Sequence, residues 1–136
     1  MTPDQFLKTI YLGDRACKGY SLDAWQKCFA LTVDQISRIR SPDGVWDGDT
    51  SEDIEDGQIV FENVESIEFS PPGLIPNDYI QTISAEEKGN LYLFRVSVAS
   101  VRKGPDGVQS DEVFISVSAS GLYLTDPKRH GIRITK

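Results

Sequence analysis

Four side chains that could supply oxygen ligands alternate at a spacing of two in one short stretch: Asp47, Asp49, Ser51 and Asp53. The early ligands of an EF-hand calcium loop have this spacing. The rest of the EF-hand template is absent, because Glu52 stands where the template requires glycine and Gln58 stands at its final glutamate position. A calcium- or small-ligand-binding β-sandwich module therefore remains an alternative function, and no residue is assigned as a metal ligand.

These residues belong to a longer acidic segment. Between Arg40 and Lys88 the chain has 13 acidic residues and no lysine, arginine or histidine, whereas the remainder of the chain is net positive. Charge that is segregated in this way creates a local field that steers charged partners. We therefore predict that the irregular loop 41–57 binds a basic protein partner. The predicted binding residues are Asp43, Trp46, Asp47, Asp49, Glu52 and Asp53.

Trp46 and the arginines before the loop each allow two interpretations. The Trp46 indole either packs beneath the loop as an anchor, as most tryptophans do, or is exposed as a contact residue. Arg38 and Arg40 either neutralise the acidic loop or take part in the site.

Residues for catalysis are sparse. His130 is the single histidine, and the chain lacks the Gly-x-Ser-x-Gly motif of a nucleophilic serine. It also lacks a glycine-rich phosphate loop followed by lysine. Cys17, Cys28 and His130 do not have the spacing of zinc ligands. We therefore predict a protein that is not an enzyme and uses no cofactor.

Charge and composition restrict the classes of partner. An isoelectric point of about 4.6 disfavours nucleic acid, whose phosphates are bound by lysine and arginine. It equally disfavours anionic membrane surfaces. The first residues do not resemble a secretory signal, and no apolar run approaches the roughly 20 residues that span a bilayer. The expected location is cytoplasmic, with both cysteines reduced.

A short helix and a series of strands must position these residues. Thr2, Pro3 and Gln5 form a helix-start pattern, which predicts a helix over about 3–11. Alternating apolar residues predict about seven strands, of which 91–102 and 111–119 are the clearest. The alternation changes phase near Asp34–Gln35, where we expect a bulge. The predicted fold is mainly β, an antiparallel β-sandwich or open barrel in a single domain over 1–136.

Several local strings occur in a familiar order along the chain. They are Leu12-Gly13-Asp14-Arg15, Ile36-Ser37-Arg38-Ile39-Arg40, Asp56-Gly57-Gln58-Ile59-Val60-Phe61-Glu62 and Ile75-Pro76-Asn77-Asp78. Over roughly residues 5–127 the chain resembles a family of short bacterial proteins of unknown function. Its layout is also loosely similar to small immunity proteins of bacterial toxin systems. Neither resemblance implies an active site. The leading hypothesis is a non-catalytic protein-binding domain, of which an immunity-type inhibitor of a basic partner is the specific form.

Overall fold

The computed structural model describes residues 1–136, and strands dominate it. One helix, α1 (Pro3–Leu7), precedes all the strands. The strands are β1 (Ile10–Tyr11), β2 (Cys17–Asp23), β3 (Cys28–Val33), β4 (Gln35–Arg38), β5 (Ile54–Glu55), β6 (Gln58–Glu62), β7 (Ser66–Ser70), β8 (Ile80–Lys88), β9 (Leu91–Gly104), β10 (Gly107–Ala119) and β11 (Gly121–Thr125). The predicted mainly-β class is confirmed. No helix has the length and apolar character needed to cross a membrane.

The strands form three open antiparallel sheets. One four-stranded sheet has the order β7-β10-β9-β8, a second has the order β11-β6-β3-β2, and a small sheet has the order β1-β4-β5. There are eleven strands rather than about seven. The additional ones include β1 and β5, which have two residues each and are too short to show an alternating pattern.

The two four-stranded sheets share one hydrophobic core. A single cluster of 21 buried residues takes side chains from both sheets. Phe29, Leu31, Ile59 and Phe61 come from one sheet, and Phe94, Val96, Ile115 and Val117 come from the other. The alternation behind the predicted strand 111–119 is seen in β10, where Val113, Ile115 and Val117 are fully buried. Each such side chain contributes roughly 1.5–3 kcal/mol through burial.

Helix α1 is shorter than predicted. Its capping box is present, because the Thr2 hydroxyl accepts a hydrogen bond from the Gln5 amide while the Gln5 side chain accepts one from the Thr2 amide. The predicted end near residue 11 is wrong, since the helix stops at Leu7. Ile10 and Tyr11 instead pair with β4. This ladder satisfies their backbone groups, and Ile10 is still buried in the core.

The phase change at Asp34 marks a change of sheet rather than a bulge within one strand. Strand β3 ends at Val33 in the second large sheet, and β4 begins at Gln35 in the small sheet. The Asp34 carboxylate accepts hydrogen bonds from the amides of Ala16, at 3.0 Å, and Gln35, at 2.8 Å. Asp34 therefore holds the corner through which the chain passes from one sheet to the other.

Both cysteines are free thiols, and they lie in different environments. Cys17 is buried and Cys28 is half-buried. Burial raises the pKa of the Cys17 thiol, since the anionic form loses its hydration. Cys17 belongs to the main core cluster, whereas Cys28 packs against a smaller cluster formed by Ala30, Val60 and Tyr123.

Candidate functional site

The predicted acidic loop is ordered, and it ends earlier than residue 57. The chain leaves β4 after Arg38 and re-enters the small sheet at β5, where Ile54 pairs with Ile36. Both isoleucines are buried, and Gly57 lies so close to them that an added Cβ would stand 2.7 Å from Ile54 and 2.9 Å from Ile36. The irregular part of the predicted loop is therefore the stretch before residue 54.

Asp53 is used inside the loop. Its Oδ1 accepts hydrogen bonds from the backbone amide of Arg38, at 2.9 Å, and from the Thr50 hydroxyl, at 3.0 Å. Its Oδ2 accepts one from the Thr50 amide, at 3.2 Å. The half-buried carboxylate thus joins the end of the loop to β4, which is a structural task.

Trp46 is packed as an anchor, the first of its two interpretations. Its ring stacks on that of Tyr11, with 4.2 Å between ring centroids and 4° between planes. The Arg15 guanidinium lies 5.9 Å from the centroid of the Tyr11 ring. Trp46 is half-buried and its Nε1 is enclosed. The indole therefore holds the acidic loop against β1 and presents little surface to a partner.

The two arginines before the loop have different roles. Arg40 forms an ion pair with Glu52, with 2.5 Å between Nε and Oε2. Arg38 is only 2% exposed, and its guanidinium lies 5.8 Å from the centroid of the Phe6 ring. Burial and the nearby positive charge of Arg40 lower the pKa of Arg38. Arg40 therefore neutralises part of the loop, whereas Arg38 is a core residue.

Three of the six predicted binding residues remain as exposed carboxylates without an ion pair. They are Asp43, Asp47 and Asp49. Asp43 accepts a hydrogen bond from the Val45 amide at 3.1 Å, and this bond lowers the pKa of Asp43. The structure does not gather the alternating aspartates into a cluster that could hold a metal ion.

The acidic segment as a whole does not form one surface. Its strands enter different sheets, because β5 joins the small sheet, β6 joins the second large sheet, and β7 and β8 lie on opposite edges of the first. Cations from outside the segment pair with several of its acids. These pairs are Arg40–Glu52, Lys18–Asp56, Lys128–Glu55, Arg133–Glu62 and Lys88–Glu86. The acidic residues of the segment are therefore close in sequence but do not lie together on the surface.

A different surface is apolar and open. It lies between the edge strands β2 and β7, and we call it the open-edge groove. Its apolar residues include Tyr20, Leu22, Ile67, Phe69 and Ile75. Trp25 does not line it but directly follows Ala24, which does. Trp25 is 96% exposed, Ile75 is 70% exposed and Leu22 is 62% exposed. Exposed apolar side chains scattered singly are common, whereas apolar residues that line a shared groove call for an explanation.

The groove has defined ends and a continuous floor. At one end the Val64 amide donates a hydrogen bond to the Lys27 carbonyl at 2.9 Å. At the other end the Tyr20 hydroxyl donates to the Pro76 carbonyl. Between these ends lie two cavities of about 580 and about 310 Å³, and Ile67 lines both of them. The two cavities are therefore neighbours along β7.

Acidic groups line the side of the groove formed by β7. Glu65 lines the smaller cavity and Glu68 the larger one. Neither carboxylate forms an ion pair, whereas other acids of the same segment are paired. The groove thus combines apolar contacts with uncompensated negative charge.

The exposure of Trp25 follows from the turn between β2 and β3. The Asp23 carboxylate accepts hydrogen bonds from the amides of Trp25, at 3.1 Å, and Gln26, at 2.9 Å. Lys27 then adopts a positive φ of 55°. This turn places the indole at the tip of the hairpin. The sequence analysis did not single out Trp25, although a tryptophan inside a short polar turn was a usable signal of exposure.

His130 lies in a separate polar groove near the last strand. Arg129, Gly131 and Ile132 line this groove beside it, and its volume is about 500 Å³. Thr32, Gln58 and Thr125 also line it, and they form a hydrogen-bonded row across β3, β6 and β11. Neither cysteine lines this groove.

The fold and the groove define a small all-β domain with two facing antiparallel sheets and an open apolar edge between β2 and β7. The chain belongs to a family of unknown function, DUF6258, whose model matches residues 1–136. The predicted membership of a family of unknown function is confirmed, and the match extends beyond the predicted residues 5–127. No curated protein matches the chain, and no solved structure does. The likeness to immunity proteins stays a prediction.

Proposed function

We propose that this protein is a protein-binding domain and that the open-edge groove is its contact surface. The observation that carries the proposal is the exposure of Leu22 and Ile75 in this groove, together with the almost complete exposure of Trp25 directly after the groove residue Ala24. Tryptophan is the residue type most enriched among those that dominate binding energy at protein interfaces. The Asp23 turn holds the backbone that carries the indole, so the conformational entropy lost on binding would come mainly from the side chain itself.

The charges of the molecule favour a partner with basic side chains. Glu65 and Glu68 line the groove without ion pairs, and the whole chain has a formal net charge of −7. Asp43, Asp47 and Asp49 add three exposed carboxylates in the acidic loop. Such groups act mainly on the rate of association with a positive surface. In this proposal the groove supplies affinity and the loop supplies electrostatic steering.

Crosslinking from the hairpin tip tests the proposal directly. A photoreactive benzoylphenylalanine replaces Trp25 in one variant and Val108 in a control variant. Val108 is 66% exposed and lies near the tip of the β9–β10 hairpin. Irradiation of cells that naturally make the protein is expected to give a discrete protein adduct from position 25 alone. Identical adducts from both positions, or none from position 25, would contradict the proposal.

Once the crosslinked partner is known, the contribution of Trp25 to affinity can be separated from that of the loop carboxylates to the association rate. Trp25→Ala is expected to weaken binding about 30-fold, or about 2 kcal/mol. The triple variant Asp43→Asn, Asp47→Asn, Asp49→Asn is expected to slow association at low salt and to reduce its salt dependence. Stopped-flow mixing at two ionic strengths measures both effects. An association rate that the triple change leaves unaltered would remove the steering role.

The immunity-type role is the specific form of this proposal. An inhibitor of a basic partner would block that partner's activity when the two bind at equal concentrations. Trp25→Ala should relieve the inhibition by the same factor by which it weakens binding. A partner that keeps full activity when saturated with the protein would limit the function to binding.

A further inference from the structure

We infer that the partner presents an extended segment of alternating apolar and basic residues, which adds as a new strand to the outer edge of β7. This inference rests on the proposed protein-binding function and names the chemistry of the partner. Main-chain hydrogen bonds to an exposed sheet edge are a recurrent mode of peptide recognition, in which alternate side chains provide specificity.

Two of the four edges of the large sheets are covered in part by other segments of the chain. Strand β11 is bridged by the chain near residue 134, since Leu124 and Ile134 exchange two backbone hydrogen bonds of 2.9 Å. Helix α1 packs against β8, and the Ile80 amide at the start of β8 donates to the Arg15 carbonyl at 2.8 Å. The remaining edges are β2 and β7, which border the open-edge groove.

Strand β2 carries features that discourage pairing. Its register with β3 shifts between Cys17 and Gly19, so a bulge interrupts the strand at Lys18. The Lys18 ammonium is paired with Asp56. Bulges and lysines on edge strands are devices by which natural sheets avoid adding another strand. The edge of β2 is therefore a poor template for a partner.

Strand β7 lacks these devices. Its five residues pair with β10 in unbroken register, and they include no lysine and no proline. Glu68 is the single charged residue of the strand. Its charge would repel a second copy of β7, because like charges on neighbouring strands are destabilising. A basic strand would be attracted by the same carboxylate.

The alternation within β7 specifies the pattern of the added strand. Ile67 and Phe69 are half-buried and pack against the core, whereas Ser66, Glu68 and Ser70 are exposed. Side chains of adjacent strands lie in rows on each face of a sheet. On one face, the added strand would extend the row of Ile67 and Phe69 into the groove. On the other face its side chains would lie beside Glu68. Glu65, just before the strand, lines the smaller cavity together with Ile67.

A synthetic probe tests this inference on the full chain. The probe is a fluorescein-labelled octapeptide that alternates valine and lysine, and a valine–glutamate octapeptide is its counterpart. Fluorescence anisotropy is expected to show binding of the lysine peptide alone. The double variant Glu65→Gln, Glu68→Gln should weaken that binding at least 10-fold. The matched control Glu86→Gln, Glu87→Gln alters two acids on β8 and should change it less than 2-fold. If the two double variants lost equal affinity for the lysine peptide, the peptide would be recognising net charge, and the inference would be overturned.

Backbone methylation separates strand addition from simple filling of the groove. In an extended strand the N–H groups of alternate residues point to opposite edges. Methylating either all the valine amides or all the lysine amides is therefore expected to abolish binding in one case and to spare it in the other. Binding that survives both methylations would overturn strand addition and leave the groove as a side-chain contact site.

The two proposals fail in different ways. If no peptide binds while position 25 still crosslinks a partner, strand addition is wrong and the protein-binding function stands. If position 25 gives no adduct, the protein-binding function fails first, and the inference fails with it.

Discussion

Replacing Phe61 by alanine is expected to lower the free energy of unfolding by about 3–5 kcal/mol, the usual cost of removing a buried phenylalanine. Phe61 is fully buried on β6. Its ring centroid lies 6.4 Å from that of Phe29 in the same sheet and 5.0 Å from that of Phe94 in the facing sheet. The substitution would therefore open a cavity where the two large sheets meet. Urea denaturation followed by circular dichroism measures the change.

Phe114→Ala provides the matched control. Phe114 lies on the opposite face of β10, is half-buried, and has the Arg95 guanidinium 4.8 Å from its ring centroid. Because the Phe114 ring is already partly in solvent, Phe114→Ala should lower the free energy of unfolding by less than half as much as Phe61→Ala. Equal losses for Phe61 and Phe114 would contradict a core that is shared by the two sheets.

Asp53→Ala is expected to cost about 2–4 kcal/mol, because it leaves the Arg38 and Thr50 amides without their acceptor. Both hydrogen bonds are to a charged group, the stronger class of hydrogen bond in proteins. Asp49→Ala is the control, since Asp49 is exposed and forms no ion pair, and it should change stability by no more than about 0.5 kcal/mol. Thermal and urea denaturation of both variants give the comparison.

The same pair of variants separates two roles that the sequence grouped together. Asp53 and Asp49 were both predicted as binding residues, yet the structure places one in the loop's internal hydrogen bonds and the other in solvent. If the Asp53→Ala variant proves as stable as the Asp49→Ala variant, the hydrogen bonds that Asp53 accepts within the loop contribute little to the free energy of unfolding. The Asp53 carboxylate would then be as available to a partner as its neighbours.

Local patterns predicted the parts of the fold that depend on local geometry. The inward residues of β10 follow a period of two, and the capping box of α1 needs only residues 2–5. The end of α1 was wrong because Ile10 and Tyr11 suit either a helix face or a strand. Their pairing with β4 decides between the two, and such a long-range contact leaves no local pattern.

The site was harder to predict than the fold. The acids of the segment are neighbours in sequence, but the strands that carry them diverge into three sheets. Trp46 and Trp25 show the same difficulty, since burial of the first depends on Tyr11 and exposure of the second on the Asp23 turn. Residue type alone therefore could not separate a packed tryptophan from an exposed one. The edge strands became apparent only from the order of strands in the sheets.

The order of the strands also determines when the protein can fold during its synthesis. Strand β10 lies between β7 and β9, and β11 completes the other large sheet by pairing with β6. Both strands follow residue 106, so neither sheet can close until that part of the chain has left the ribosome. Pairings between distant segments also make folding slow. Strand β3 can pair with β2 and β6 before then, but β6 and β9 each lack one neighbouring strand. Their open edges and apolar faces are therefore exposed on the nascent chain, where molecular chaperones would bind them.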